Sequence, residues 1–234
     1  MCTVSFVAAN DKIIITSNRD EAVLRPALKP AEYIVNGRKI LFPKDPQAGG
    51  TWFATNEKSD VIVLLNGAAE KHKHLFTYRK SRGLIVLDLI SSESAIQTWN
   101  EINLDNIEPF TLVLFESGKL YQLRWDFSEK ETVVLDTAKN YVWSSSTLYP
   151  NEIREKRSQW FYSFLETKSD VNENEMFNFH RYTEDKNQEN GLVIDRNGQL
   201  KTLSITQAVI ENQSLKMMHF DLIDQTESSH FIIV

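Results

Sequence analysis

The stretch M-C-T-V-S-F-V-A-A-N-D-K-I-I-I-T-S-N-R-D-E, residues 1–21, decides how this chain reads. Residues 3–9 and 12–17 are rich in Val, Ile, Thr and Phe, which suit a pleated, half-buried surface. Asn10 and Asp11 between them tolerate the backbone of a two-residue hairpin turn. A hairpin closed by that pair sets Ala8 opposite Ile13, Phe6 opposite Ile15 and Val4 opposite Ser17. Continued, it sets Cys2 opposite Arg19 and Met1 opposite Asp20. Directly opposed residues share a sheet face, with Cβ atoms about 4.5–5.5 Å apart. A cationic Arg19 ending a largely apolar face needs a partner, and a Cys2 thiolate and Asp20 are the candidates. A guanidinium lowers a thiol's pKa, as at reactive cysteines.

Cysteine is small enough to permit removal of the initiator Met. Cys2 then carries both a thiol and an α-amine, whose ordinary pKa is about 7.7–8.0. A nucleophile and a general base would share one residue. The same residues also read as an inert strand-end thiol beside a surface ion pair, and pattern alone leaves both readings open.

Outward from the hairpin, Asn36-Gly37 marks a second one, followed by a Pro/Gly loop over 43–50. Residues 51–55 and 61–65 read as strands, the latter a continuous apolar run. Residues 80–103 carry helical patterning broken near Ser91-Ser92. Strands follow at 110–115, 120–125, 132–135 and 141–143. Residues 151–167 form the clearest helix, with Pro150 at its start. The polar, acidic stretch 168–190 reads as variable, partly mobile surface. Strands return at 191–194, 201–205, 207–210 and 215–220, with Asn197-Gly198 as another turn. This order is not the alternation of a doubly wound sheet. It predicts an α+β chain of mostly antiparallel sheets with helices outside, in a single domain over 1–234.

Composition narrows the function. Lys and Arg total 26 against 32 Asp and Glu, a net charge of −6. That balance argues against nucleic-acid binding. One cysteine excludes an internal disulfide and a multi-Cys metal site. No signal peptide or membrane-spanning run is visible, so a cytoplasmic protein is expected, without an integral membrane segment, metal or cofactor. His72 and His74 read as solvated loop residues, and His180, His219 and His230 as isolated structural ones, with a Cys–His–Asp triad through one of those three as the alternative. Arg154 and Arg157 read as surface ion-pair partners or as a clamp for an anion.

Several motifs together resemble the NRDE family, which includes the transport and Golgi organisation protein 2 homologues. They are the M-C start, T-S-N-R-D-E at 16–21 with Arg25-Pro26, G-G-T-W at 49–52, and L-x-N at Leu64–Asn66. Ser81-Arg82-Gly83, the Ser-rich 144–149 and T-L-S-I-T-Q at 202–207 complete the set. The resemblance implies an N-terminal-nucleophile hydrolase-like fold, a four-layer αββα sandwich of two mostly antiparallel sheets. It is similar in kind to bile-salt hydrolases, penicillin V acylases and acid ceramidase-like enzymes. Carried over, Cys2 is the nucleophile, its amine the base, Arg19 the thiolate's support, Asp20 the amine's orienter and Asn66 an oxyanion donor. Asn18, Gly49, Gly50, Thr51, Trp52 and Ser145 become expected substrate-binding residues. In those hydrolases the Arg and Asp are usually separated by two residues, whereas here they are adjacent. Both reach Cys2 only if the chain bends at 18–21. The expectation is an amidohydrolase acting on a small molecule. The opposing one is a non-catalytic carrier of haem or an acyl-lipid, and a weaker third is an interaction module using 168–190.

Overall fold

The computed structural model describes residues 3–9, 11–75, 77–212 and 214–233. They fold into two compact units, Met1–Pro26 with Ala138–Ile233, and Ala27–Thr137. Each unit holds one antiparallel sheet of seven strands and two of the four helices found among the described residues. The class is α+β, as the element order predicts.

In the first unit, β1 (Thr3–Ala9) and β2 (Lys12–Ala22) form the N-terminal hairpin. Its register is the one predicted: Val4 faces Ser17, Phe6 faces Ile15 and Ala8 faces Ile13. Asp11 takes the positive φ of 59° that such a turn demands.

The second unit is a meander. Its strands are β3 (Leu28–Val35), β4 (Arg38–Lys44), β5 (Phe53–Asn56), β6 (Val61–Asn66), β7 (Phe110–Glu116), β8 (Lys119–Trp125) and β9 (Lys130–Leu135). Asn36 and Gly37 make the β3–β4 turn with φ of 51° and 78°. All but the last residue of β6 are buried, as its apolar run requires. Helices α1 (Arg82–Ile90) and α2 (Ala95–Glu101) pack in this unit, α1 on β5 and β6. The break at Ser91-Ser92 falls where the sequence places it. Glu116 fixes the start of α2 by accepting from the backbone N–H of Ala95 at 2.5 Å and of Ile96 at 3.3 Å.

The first unit is completed by β10 (Tyr141–Ser144), α3 (Asn151–Glu166), α4 (Glu173–Tyr182), β11 (Asp195–Arg196), β12 (Leu200–Glu211), β13 (Ser214–Asp221) and β14 (Thr226–Ile233). The strand order is β10-β1-β2-β12-β13-β14, with β11 on β12. Val7 and Ile14 on the hairpin meet Phe161 of α3 and Met176 and Phe179 of α4 in an apolar cluster. Each such side chain contributes roughly 1.5–3 kcal/mol by leaving water.

Three expectations are corrected here. The stretch 168–190 contains α4, held by a reciprocal cap between Asn172 and Glu175. Its apolar face is narrow, and the surrounding Glu, Asn and Lys residues mask it in the sequence. The two strands expected at 201–205 and 207–210 are one, β12, and residues 191–194 are not a strand. The C-terminal β14 went unread because T-E-S-S-H carries no apolar alternation. No helix among the described residues is long and apolar enough to cross a membrane.

Candidate active site

The predicted nucleophile Cys2 lies outside the described residues, as does Met1. The residues expected around it do not. The β1–β2 ladder runs up to Thr3 opposite Asn18. Beyond Asn18, β2 continues through Arg19 and Asp20 without a break, as a strand paired with β12. Along this stretch the irregularity lies in the partner strand, between Thr202 and Ser204. Successive strand residues present opposite faces. Asn18 and Asp20 therefore share the face that α4 covers, and Arg19 takes the other.

Asp20 is 2% exposed. Tyr149 Oη donates to its Oδ2 at 2.8 Å, and Thr202 Oγ1 donates to its Oδ1 at 2.5 Å. Thr202 Oγ1 already accepts from the Ile194 N–H at 2.9 Å, so its own proton is left for the carboxylate. Two hydroxyl donors thus hold a buried carboxylate by both oxygens. Arg19, also 2% exposed, donates from Nη2 to the Arg25 carbonyl at 2.9 Å. That carbonyl lies in the Arg25-Pro26 element quoted with the N-R-D-E motif.

Ser145 is buried, and its Oγ meets Thr147 Oγ1 at 2.9 Å. Its carbonyl accepts from the Tyr149 N–H at 3.1 Å, closing the turn that delivers Tyr149 to Asp20. The Tyr149 ring lies under the Arg157 guanidinium at 3.6 Å. Arg157 is fully buried, which corrects the surface ion pair expected of it. It donates to Thr3 Oγ1 at 2.5 Å, to the Asn190 carbonyl at 3.3 Å and to the Gly191 carbonyl. A Cβ at Gly191 would fall 2.3 Å from the Glu184 carbonyl oxygen, so only glycine fits there.

Asn18 is a structural brace in this geometry. Its Nδ2 donates to the Leu192 carbonyl at 2.7 Å and to the His180 carbonyl at 3.1 Å. Both amide protons being spent, Oδ1 is an acceptor and takes the proton of His180 Nδ1. His180 Nε2 is then an acceptor for the Ser5 hydroxyl at 2.7 Å. His180 is fully buried, and desolvation, helped by the Arg157 charge, pushes its pKa down to about 3. It is neutral and far from isolated. His219 likewise meets Thr206 Oγ1 at 2.8 Å.

The other predicted residues belong to the second unit. Gly50 presses on Gly83: a Cβ at Gly50 would stand 2.4 Å from the Gly83 carbonyl carbon. The Thr51 N–H donates to the Gly83 carbonyl at 3.2 Å, and Thr51 Oγ1 donates to the Pro43 carbonyl at 2.7 Å. Gly49 has a φ of 75°, and Trp52 is buried. The G-G-T-W and S-R-G motifs therefore meet backbone to backbone. Asn66 ends β6, opposite Phe110. Shortly after it, a cavity of about 300 Å³ is lined by Ala68, Ala69, Glu70, Lys71, His72, Pro109 and Asp126. His72 is not a solvated residue: its Nε2 lies 3.2 Å from Glu108, with Phe127 edge-on to its ring. Among the described residues no three His, Cys, Asp or Glu converge as a metal site.

Tyr149, Arg157, His180 and Thr202 are the site residues that sequence reasoning missed. Tyr149 and Thr202 stood inside recognised motifs, so position was available as a signal. His180 carried none.

The chain matches the model of the Transport and Golgi organisation 2 family over residues 1–227. A search of curated proteins found no match. Among solved structures it resembles an N-acylethanolamine-hydrolyzing acid amidase ortholog from Caenorhabditis elegans. That pair is 11% identical with a TM-score of 0.63, covering 88% of this chain and 92% of the other. It also resembles conjugated bile acid hydrolase from Clostridium perfringens, in a variant with an arginine replaced by leucine. There the identity is 9% and the TM-score 0.56, over 98% of this chain and 92% of the other. The cysteine-to-alanine mutant of the same hydrolase gives 10% and 0.51, over 98% and 96%. These likenesses show the fold, that of the N-terminal-nucleophile hydrolases.

Proposed function

This chain belongs to the Transport and Golgi organisation 2 family, and we propose that it is an N-terminal cysteine hydrolase, cleaving an amide or related acyl bond of a small molecule through Cys2. The observation that carries the reading is the buried Asp20 carboxylate, gripped by two hydroxyl donors at the end of β2. The register arithmetic that holds from Thr3 to Ala9 is the arithmetic that assigns Arg19 to Cys2 and Asp20 to the residue before it. A buried carboxylate in that place suits an ammonium formed during turnover. The fold shared with an acid amidase and a bile acid hydrolase, each named for hydrolysis, supports the same class.

Removal of Met1 frees the Cys2 amine. That amine takes the thiol proton, and the Cys2 sulfur attacks the substrate carbonyl carbon. The resulting oxyanion is met by a hydrogen-bond donor. Collapse breaks the C–N bond, and the ammonium returns its proton to the leaving nitrogen. Water then attacks the thioester, giving its proton to the amine, and the acid departs as the thiol reforms. Arg19 stabilises the thiolate and Asp20 orients the amine. Asn18 and Ser145 shape the site, Asn18 through the backbone it fixes. The whole chain acts as one domain, in a reducing, cytoplasmic setting that keeps its single thiol free.

The test is intact-protein mass before and after brief exposure to iodoacetamide at about pH 6, where an ordinary thiol is mostly protonated. Loss of Met1 with rapid single-site labelling is expected. Met1 retained, or a thiol that labels slowly, overturns the hydrolase reading and leaves the carrier. Cys2→Ala abolishes turnover in a hydrolase and leaves ligand binding intact in a carrier.

A further inference from the structure

We propose that Tyr149 and Arg157 are a positioning pair that tunes the charge of Asp20, and through it the proton affinity of the N-terminal aminothiol. The proposal rests on the Cys2 mechanism above. The Arg157 guanidinium is fully buried, while its hydrogen-bond acceptors among the described residues are neutral: Thr3, Asn190 and Gly191. A buried cation is costly unless something offsets it. The guanidinium also stacks on the Tyr149 ring at 3.6 Å. Tyr149 in turn donates its phenol proton to Asp20 Oδ2 at 2.8 Å. The buried charges of Arg157 and Asp20 are thus joined through one aromatic ring. A cation on the ring face draws electron density from the phenol and makes its O–H a stronger donor. The same guanidinium holds Thr3, the residue after the proposed nucleophile.

A carboxylate near an N-terminal amine raises that amine's pKa, because it disfavours loss of the ammonium proton. The Tyr149 hydroxyl draws charge off Asp20 and so keeps the amine, the proposed base for the Cys2 thiol, able to act near neutral pH. Other charges lie near the pair. Arg196 of β11 stands 5.2 Å from the Tyr149 ring and pairs with Glu189 at 3.2 Å. On β2, Glu21 pairs with Arg25 at 3.6 Å, and Arg19 lies on the opposite face. Lys201 of β12 pairs with Asp195 at 2.8 Å. α3 also carries Arg154, three residues before Arg157. His180 of α4 is neutral, and Thr202 of β12 carries no charge.

Tyr149→Phe removes the hydroxyl and keeps the stacked ring. The experiment measures the rate of iodoacetamide labelling of the single cysteine from about pH 5 to 10, in wild type and variant, after intact mass has established the N-terminus. The expected result is Met1 lost in both proteins and a labelling midpoint about 0.5–1 pH unit higher in the variant, the scale of one net hydrogen bond. Met1 lost with an unchanged or lowered midpoint overturns the positioning role and leaves the hydrolase reading standing. Met1 retained in the wild type overturns both, and the mass distinguishes the cases. Arg157→Lys supplies a second variant should Tyr149→Phe fail to fold. It keeps a charge but loses the planar stack, so the midpoint rises by a smaller amount. A folded Arg157→Lys protein with the wild-type midpoint overturns the proposal.

Discussion

At the residue scale, His180 makes the first prediction. In the unfolded chain an imidazole takes up a proton below about pH 6.5. In the folded chain burial, helped by Arg157, delays that to about 3. Between those values the unfolded state binds more protons, so stability rises with pH. The contribution is complete above about 6.5 and is lost as pH falls towards 3, amounting to a few kcal/mol in order of magnitude. Chemical denaturation from about pH 7 to 4.5 should show wild type losing stability faster than His180→Gln, whose slope lacks the His180 contribution. At neutral pH the same substitution should cost about 2–4 kcal/mol, because Ser5 and Asn18 lose a buried partner. Equal slopes would mean that His180 titrates normally and is not sealed by α4.

At the element scale, Gly83 sets two principles against each other. It sits in the first turn of α1, where exchange of Gly for Ala ordinarily stabilises a helix by about 1 kcal/mol. Here a Cβ would stand 2.8 Å from the Thr51 carbonyl oxygen and 2.9 Å from its nitrogen, both backbone atoms that cannot swing aside. Overpacking against backbone costs about 1–3 kcal/mol, so packing wins. Gly83→Ala should lower the thermal midpoint, and Gly50→Ala, aimed at the same contact, should lower it further. A Gly83→Ala protein as stable as wild type would show that the G-G-T-W and S-R-G motifs do not need this close approach. A smaller effect belongs to α4: Asn172→Ala should cost about 1 kcal/mol through its cap. These elements also show what a sequence makes legible. The N-terminal register could be read because Asn10-Asp11 and the flanking β-branched residues act locally. The break between α1 and α2 was equally local. Helix α4 was missed because only Met176, Phe179 and His180 are buried in it. Asp20's partners come from Tyr149 and Thr202, far along the chain. No local pattern announces a contact whose two halves are so distant, and only motif membership hinted at either residue.

At the scale of the molecule, the unit that carries the Asp20 cluster is assembled from both ends of the sequence. Its β2 lies between β1, joined to it by a tight turn, and β12, which begins at Leu200. The β2–β12 ladder runs from Lys12 opposite Glu211 to Ala22 opposite Leu200. Such distant pairing carries a large loop-closure cost before any contact repays it. Strands β2 and β12 are both central and share this long ladder, so the two should open as one cooperative unit. Native-state hydrogen exchange should therefore give backbone amides of Ile14 and Ile15 the same opening free energy as those of Ala208 and Val209. Amides of β14, an edge strand with Phe231 68% exposed, should exchange through smaller openings. The site is then only as stable as that distant pairing, since Asp20 on β2 and Thr202 on β12 meet across it. Thr202→Val tests the link, for it removes the hydroxyl that joins the two strands and keeps the shape. It should lower the shared opening free energy of β2 and β12 by about 1–3 kcal/mol, by leaving a carboxylate oxygen short of a donor, while β14 stays unchanged. Loss confined to one of the two strands would show that they are separate units, and that the Asp20 cluster tolerates opening on one side.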